Sequence, residues 1–406
     1  MKKSIPFSPP RIDQATIDAV QAVLESGWIT TGPRTKEFEK KIAAYCHVPN
    51  AVAVNSWTAG MEVMLRWMGI EAGDEVIIPA YTYCASANVI IHCGAKPVMV
   101  DINLDDFNIS LEAVKQAITP KTKAIMAVDI AGYPCDYDEL YALVNSAEVL
   151  AQFSPKNDFE KNLGRIALLS DAAHSFGALY KGKHSGSLAD ISVFSFHAVK
   201  NLTTAEGGAI CLNLPAPFDN AEIYKELCIK ILHGQSKDAL AKSQIGNWRY
   251  DVVEPGFKCN MTDLQAAIGL TELSRYDTEN LPRRKEIFYK YREAFSTQDW
   301  AIIPTYLSEY KTSSYHLFML RIADCSEEQR DAIMDKIFAT GVSVNVHFQP
   351  LPMLSAYKKM GYDMVNFPNA YACYANEISL PVYYDLSDED VQTIIDAVID
   401  GVKQVL

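Results

Sequence analysis

At 406 residues, 49% of them hydrophobic, the chain can bury a large core, and its length predicts two or three domains, or one large and one smaller. Its 37 basic and 50 acidic residues leave a net charge of −13 with no basic run, which excludes a nucleic-acid surface built on clustered lysine and arginine. Nine cysteines, an odd number with no Cys-x-x-Cys pair and no zinc-finger spacing to the eight histidines, exclude a disulfide framework and a metal site, and read as reduced thiols in a cytoplasmic protein.

Residues 1–12 read as a Pro-rich extended arm; Lys2 and Lys3 precede no apolar stretch, so no signal peptide is expected, and no apolar run reaches the length of a membrane span. Asp13 is placed to cap a helix carrying Ile17, Val20, Val23 and Leu24, which Ser26-Gly27 ends. Residues 28–33 form a loop by their Gly-Pro signal, and a second amphipathic helix covers about residues 34–46. A short strand at 51–54 runs through Asn55-Ser56-Trp57-Thr58-Ala59-Gly60 into a helix containing Met61, Met64 and Leu65. Small hydroxyl residues at such a helix start leave backbone amides free at a positive dipole end, which makes either a phosphate cradle or an ordinary cap.

Strands are expected at 75–78, 97–100, 123–128 and 166–169, with helices between them near 86–92, 111–117 and 137–145. This alternation predicts an α/β fold, a three-layer arrangement around a mostly parallel sheet. Residues 146–164 break the rhythm and read as a surface insertion, because the strand pattern resumes directly after them. The strand at 166–169 runs into Asp171, a carboxylate that either caps the next turn or meets a cation.

The stretch 191–210 organises the rest. Val193, Phe194 and Phe196 suit a buried strand, and Lys200 follows among the polar residues Asn201, Thr203 and Thr204. Lys200 is then either a solvated strand-end lysine or an amine whose partial desolvation makes it a nucleophile at the sheet edge where α/β proteins build sites. Asp171 lies on a neighbouring unit of the same sheet. Together they form a pair suited to pyridoxal phosphate, a lysine for the Schiff base and an acid for the pyridinium nitrogen. After a helix at 262–273 and a charged helix at 281–295 the pattern changes, with strands at 315–322 and 343–346 and helices at 327–340 and 387–404. This divides the chain into a large α/β domain, 1–275, and a smaller C-terminal α+β domain, 276–406.

Ser195-Phe196-His197, Lys200 and Ala205-Glu206-Gly207-Gly208 resemble the lysine segment of the DegT/DnrJ/EryC1/StrS sugar aminotransferases, departing only at Ala205, where the family has glycine. The resemblance extends from Pro6 to the C-terminal helix. The run from Ser26 to Pro33 is similar to that of the subgroup that aminates C4 of UDP-linked 4-keto sugars, the 4-amino-4-deoxy-L-arabinose aminotransferases. It implies a pyridoxal phosphate enzyme of fold type I, a homodimer with active sites at its interface, that moves an amino group from an amino acid, with glutamate as donor, to a nucleotide-linked keto sugar for surface polysaccharide.

By the same resemblance Lys200 holds the cofactor and shuttles the proton, and Asp171 pairs with the pyridine nitrogen. Thr58 and Ala59 match the phosphate-binding turn and Ser195 the phosphate-contacting serine. Tyr83 matches the stacking aromatic, His174 the residue beside the ring hydroxyl, and Trp28 and His347 the sugar side. Read alone, Tyr83 passes as a core tyrosine, His174 as a satisfied, partly buried histidine and His347 as a strand-end surface histidine. The family's Gly-Tyr-Asn-Tyr-Arg-Met run stands here as Gly256-Phe257-Lys258-Cys259-Asn260-Met261, leaving open whether Lys258 or Asn260 reaches the phosphate across the interface. Ala127-Val128-Asp129 replaces Pro-Val-His, so different substrate contacts are expected there. Related dehydratases replace the lysine by histidine, and Lys200 therefore argues against that activity, as Lys200 with Asp171 does against a non-catalytic cofactor-binding regulator. No Gly-x-Gly-x-x-Gly follows the first strand, which removes a nicotinamide dehydrogenase.

Overall fold

Seven strands form the central sheet of the computed structural model, which describes residues 4–237 and 248–406. They are β1 (Asn50–Val54), β2 (Glu75–Pro79), β3 (Lys96–Val100), β4 (Thr122–Val128), β5 (Ala167–Asp171), β6 (Ile191–Ser195) and β7 (Gly208–Leu212), in the order β1-β7-β6-β5-β4-β2-β3. Only β7 runs against its neighbours; the others are mutually parallel. The central strands are buried along nearly their whole length, which is why they read as continuous apolar runs rather than alternating ones. Helices cover both faces. Trp57–Trp67 and Cys84–His92 pack Met61, Met64, Leu65, Val89 and Ile90 on one, while Pro33–Cys46 packs Phe38 and Ile42 against Phe194 and Phe196 on the other.

The expected helices form with small shifts of their ends. Asp13 caps Gln14–Ser26 by accepting from Thr16 N–H, and Gly27 closes that helix at φ 72°. Sequence reading missed the helices Asn220–Lys230 and Pro368–Ala375. Residues 146–164 are more than a surface excursion: they fold into Ala147–Gln152 and Asp158–Leu163, and Glu160 takes an ion pair at 2.9 Å from the fully buried Lys123 of β4.

A second sheet of three antiparallel strands follows, β8 (Ala301–Ile302), β9 (Phe318–Ile322) and β10 (Glu377–Leu380), in the order β8-β9-β10. Helices Leu281–Phe295, Glu327–Ala339 and Asp388–Val405 pack on it around Phe288, Phe318, Ile333 and Ile394. The strand expected at 315–322 begins only at Phe318, because Tyr315 sits at φ 55° and the amides of Ser314 and His316 donate to Gly132 and Ala131 of the large sheet's loops. The strand expected at 343–346 does not form. Only Asn345 pairs with Ser379 of β10; the His347 amide goes to the Glu377 carboxylate instead of a ladder carbonyl, so the pairing stops. The arm, of which residues 1–3 lie outside the described residues, joins this region through Ile5, whose backbone bonds to Gly341 and Ser343.

Candidate active site

The carboxyl ends of β1, β2, β4, β5 and β6 and the start of β7 meet along one edge of the central sheet, where open parallel sheets bind their ligands. A cavity of about 340 Å³ opens there, and Asp171, His174, Ser195, Lys200, Thr58, Tyr83 and His347 all line it. Seven residues drawn from five separate stretches thus share one space.

Lys200 lies in the turn after β6, its amide donating to His197 O at 2.9 Å. Burial of its amine lowers the pKa to about 8, and Asp171 opposes the fall only in part. Asp171 ends β5, in register with Val193 of β6. Its carboxylate accepts from Ser86 Oγ at 2.8 Å and Ala173 N–H at 3.2 Å. Burial raises its pKa to about 6 in spite of those donors and Lys200, and the neighbouring Asp129 adds to the rise. A low-dielectric site thus holds an amine that is easily neutral and an acid that lacks a full counter-charge.

Three neutral histidines surround Lys200. His174 accepts the Ala131 amide at Nδ1 over 3.3 Å, which leaves its Nε2–H as a donor. His316, 4.4 Å from His174 between ring centroids, bonds at Nδ1 to Asn201 Oδ1 at 2.8 Å. The Asn201 amide nitrogen donates to Ser314 O at 2.7 Å, so its oxygen is the acceptor and His316 Nδ1 carries the proton. Burial and the nearby Lys200 push all three histidines down, His347 to about 3. Sequence reading missed His316; its buried position arises from the turn at Tyr315, which no local pattern marks.

The helix Trp57–Trp67 starts at the cavity with Ser56 as its cap. Ser56 Oγ takes the Ala59 amide at 3.1 Å, so Ala59 is committed to the cap and stands outside the lining, while Trp57 and Thr58 precede it with amides that have no partner in their own helix. Gly208 must be glycine, since a Cβ there would lie 2.8 Å from the backbone of both Ser56 and Trp57. Ala205 occupies φ 68° on the exposed turn after Lys200, which explains the glycine of the family pattern. Ala205→Gly should raise the unfolding free energy by about 0.5–1 kcal/mol, read in a denaturant titration, because it relieves a left-handed alanine without removing a packed side chain.

Tyr83, which alone reads as a core tyrosine and by resemblance matches the stacking aromatic, is 60% exposed at the cavity mouth, its ring 5.8 Å from that of Phe348. Asp129 stands in the run where different substrate contacts are expected. It is fully buried, accepting from Cys135 N–H, Tyr137 Oη and Ser175 Oγ at 2.8–3.0 Å, and is a structural acid behind the site. Trp28, Lys258 and Asn260 do not line this cavity. Trp28 Nε1 donates to Thr31 O at 3.2 Å, Lys258 bonds Asn260, and Asn260 bonds Thr31, so these residues form a separate cluster.

The donor set fits pyridoxal phosphate. An amine near neutrality suits its aldehyde, a buried carboxylate short of counter-charge suits a pyridinium, and the His174 Nε2–H suits a ring oxygen. Helix-start amides with Ser195 suit the phosphate. Among the described residues no cluster of histidine, cysteine, aspartate or glutamate could hold a metal ion, and no helix is long and apolar enough to cross a membrane.

Comparison with known proteins agrees. The profile of the DegT/DnrJ/EryC1/StrS aminotransferase family matches residues 10–399. The spore coat polysaccharide biosynthesis protein SpsC of Bacillus subtilis is 38% identical, over 98% of this chain and 97% of its own. Among solved structures, Spr1654 from Streptococcus pneumoniae, assigned as a sugar aminotransferase, in its PMP form superposes with a TM-score of 0.95 at 47% identity, covering 99% of this chain and 100% of its own. Its PLP form matches as well. Helicobacter pylori PseC, an aminotransferase of pseudoaminic acid biosynthesis, gives 0.85 at 27% identity over 99% and 100% of the two chains. The fold is that of the type I sugar aminotransferases, and the cofactor is pyridoxal phosphate.

Proposed function

The chain belongs to the DegT/DnrJ/EryC1/StrS aminotransferase family, and from that premise we propose that it moves an amino group from glutamate to the carbonyl of a nucleotide-linked keto sugar destined for surface polysaccharide. The observation that carries this reading is the Lys200 amine and the Asp171 carboxylate converging on one cavity from adjacent parallel strands. When bound, pyridoxal phosphate supplies an aldehyde that captures amines and a ring that accepts electrons from the substrate carbon. In this reading Lys200 anchors it and afterwards, as a neutral amine, moves the proton at that carbon. Asp171 holds the ring nitrogen's proton, His174 donates to the ring oxygen, Tyr83 covers the ring face, and Thr58 and Ser195 hold the phosphate, while Ala59, matched to the phosphate turn by resemblance, serves the Ser56 cap instead.

The Trp28–Lys258–Asn260 cluster, set apart from its own chain's cavity, is read as the contribution of a second copy in a cytoplasmic homodimer, Lys258 and Asn260 toward the phosphate and Trp28 toward the sugar. His347 faces the sugar within the chain. The polysaccharide role named for SpsC supports the product class, and the Ser26–Pro33 run makes C4 of a UDP-linked 4-keto sugar the first acceptor to offer. The domains 1–275 and 276–406 then hold cofactor and sugar between them.

Visible absorbance tests the reading. Purified protein with pyridoxal phosphate should show a yellow band that bleaches on adding glutamate and returns only with a keto sugar, among UDP-, dTDP- and GDP-linked candidates. A band that glutamate never bleaches overturns the donor, and no band at all overturns the role of Lys200.

A further inference from the structure

Glu377 and Ser379 alternate along β10, so their side chains share one face of the strand, and both are fully buried. That face meets the loop that replaced the expected strand at 343–346. Ser379 Oγ lies 2.5 Å from Glu377 Oε1 and 3.0 Å from His347 Nδ1. The other carboxyl oxygen, Glu377 Oε2, accepts the His347 backbone N–H at 3.0 Å. The three side chains form a chain of hydrogen bonds that begins inside the small sheet and ends at the cavity, which His347 lines.

One member of this chain has no choice of direction. A backbone N–H only donates, so Glu377 Oε2 must accept. If the carboxyl is ionised, Oε1 also accepts. The Ser379 proton then points at Glu377, the serine oxygen can only accept, and His347 must carry its proton on Nδ1. Its Nε2, the polar atom left for a ligand, is then an acceptor. If the carboxyl is protonated, the proton must sit on Oε1. Ser379 then accepts from Glu377 and turns its own proton to His347 Nδ1, so the ring's hydrogen moves to Nε2, which becomes a donor.

We propose that Glu377, acting through Ser379, sets the tautomer of His347 and so decides whether the cavity meets a hydrogen-bond acceptor or a donor at Nε2. Glu377 is a positioning residue, and the part played by the sugar rests on the function proposed above. With Nε2 as acceptor the site favours a sugar hydroxyl; with Nε2 as donor it favours a carbonyl or ether oxygen.

The surroundings allow the carboxyl to change state. Arg330, on Glu327–Ala339, donates to the Glu377 main-chain carbonyl at 3.2 Å and faces the carboxylate only through its field. The Tyr81 hydroxyl, which donates to His347 O at 2.7 Å, and the Cys373 thiol are the other titratable groups near Glu377, and the Lys200 amine faces the far side of His347. Burial raises the Glu377 carboxyl to about 8 against the pull of Ser379, the His347 amide and Arg330. The imidazole, held down to about 3, stays neutral, so its tautomer is the one freedom it has.

Histidine-selective 15N NMR of the holoenzyme reads the tautomer directly, with His347 assigned by the signals lost in His347→Asn. Wild type should show Nδ1–H at about pH 10 and Nε2–H at about pH 6. In Glu377→Gln the amide must offer its oxygen to the His347 N–H and its NH₂ to Ser379, so Nε2–H should persist at both values. The same His347 tautomer in Glu377→Gln and wild type at about pH 10 overturns the proposal. Ser379→Ala serves as the second variant, and its His347 tautomer should no longer follow pH. Persistence of the pH-dependent inversion in Ser379→Ala removes the relay.

The neutral Lys200 amine gives wild type and Glu377→Gln a common pH dependence near about 8. On top of it the sugar half-reaction of wild type should show a change of about tenfold in kcat/KM, seen in the ratio of the two proteins, that Glu377→Gln lacks. A tautomer that inverts without any such change upholds the relay and overturns the assignment of His347 to the sugar. A protein with no visible band overturns the proposed function and leaves the tautomer measurement standing.

Discussion

Lys200→Ala should abolish turnover, lowering the rate by at least about 10⁴-fold, with the visible band gone and the far-UV circular dichroism of wild type retained. Both roles proposed for the amine disappear in the variant, the covalent hold on the cofactor and the proton carried at the substrate carbon. The fold should survive because Lys200 sits in a turn fixed by backbone bonds, its own amide to His197 O and Thr204 N–H to Phe196 O at 2.9 Å. The pH dependence has a definite sign. An ordinary lysine at pH 8 is neutral in about one molecule in three hundred, whereas with a pKa of about 8 half of the Lys200 amines are neutral. Pyridoxal phosphate capture by the apoprotein should therefore rise with pH and level off above about 8, rather than climbing toward 10. A variant at near-normal rate would take the chemistry away from Lys200.

That lysine was legible in the sequence because a buried strand announces itself by composition, and whatever leaves its carboxyl end in a parallel sheet arrives at one edge. Asp171 was legible for the same reason, and the Ser-Phe-His and Glu-Gly-Gly signatures gave the pair a chemistry. Gly208 shows why such a signature exists, since its missing Cβ lets β7 lie against Ser56 and Trp57. What stayed hidden depends on contacts between distant stretches. Tyr83 by itself has the composition of a core residue, so only the resemblance points to it, and it stands exposed because the turn before Cys84–His92 carries it to the cavity mouth. Asp129 stands where the family has histidine, and only the donors from Cys135, Tyr137 and Ser175 reveal a buried structural acid. Residues 343–346 have the alternation of a strand, but the Glu377 side chain takes the amide that would have extended the pairing. Glu377 itself, between Asn376 and Ile378, looks like the polar residue of a half-exposed strand, and its complete burial comes from packing that no local pattern encodes.

Asp171→Asn should cost about 10³-fold in rate while the visible band remains, because the amide keeps the shape of the site and cannot hold a proton on the ring nitrogen as a carboxylate does. Its effect on the apoprotein runs the other way. Asp171 has its pKa raised from 3.8 to about 6 by burial, so the folded chain binds this proton more tightly than the unfolded chain. Stability from this group is then fully present below about 4 and is lost as the pH rises through about 6, reaching about 2–3 kcal/mol at neutrality. Asparagine carries no such charge. It can still accept the Ala173 N–H, and its NH₂ can donate to Ser86 Oγ, which is free to turn its proton to Thr82 at 2.9 Å. The inactive variant should therefore unfold at higher denaturant than wild type when both are cofactor-free at about pH 8, and the two should converge near about pH 4. A wild-type apoprotein as stable as the variant at both values would mean that Asp171 is already satisfied without a ligand. The acid would then have no unmet charge to offer a pyridinium. A gap that opens with pH and closes when pyridoxal phosphate is added would show the same buried carboxylate destabilising the empty site and holding the cofactor in the filled one.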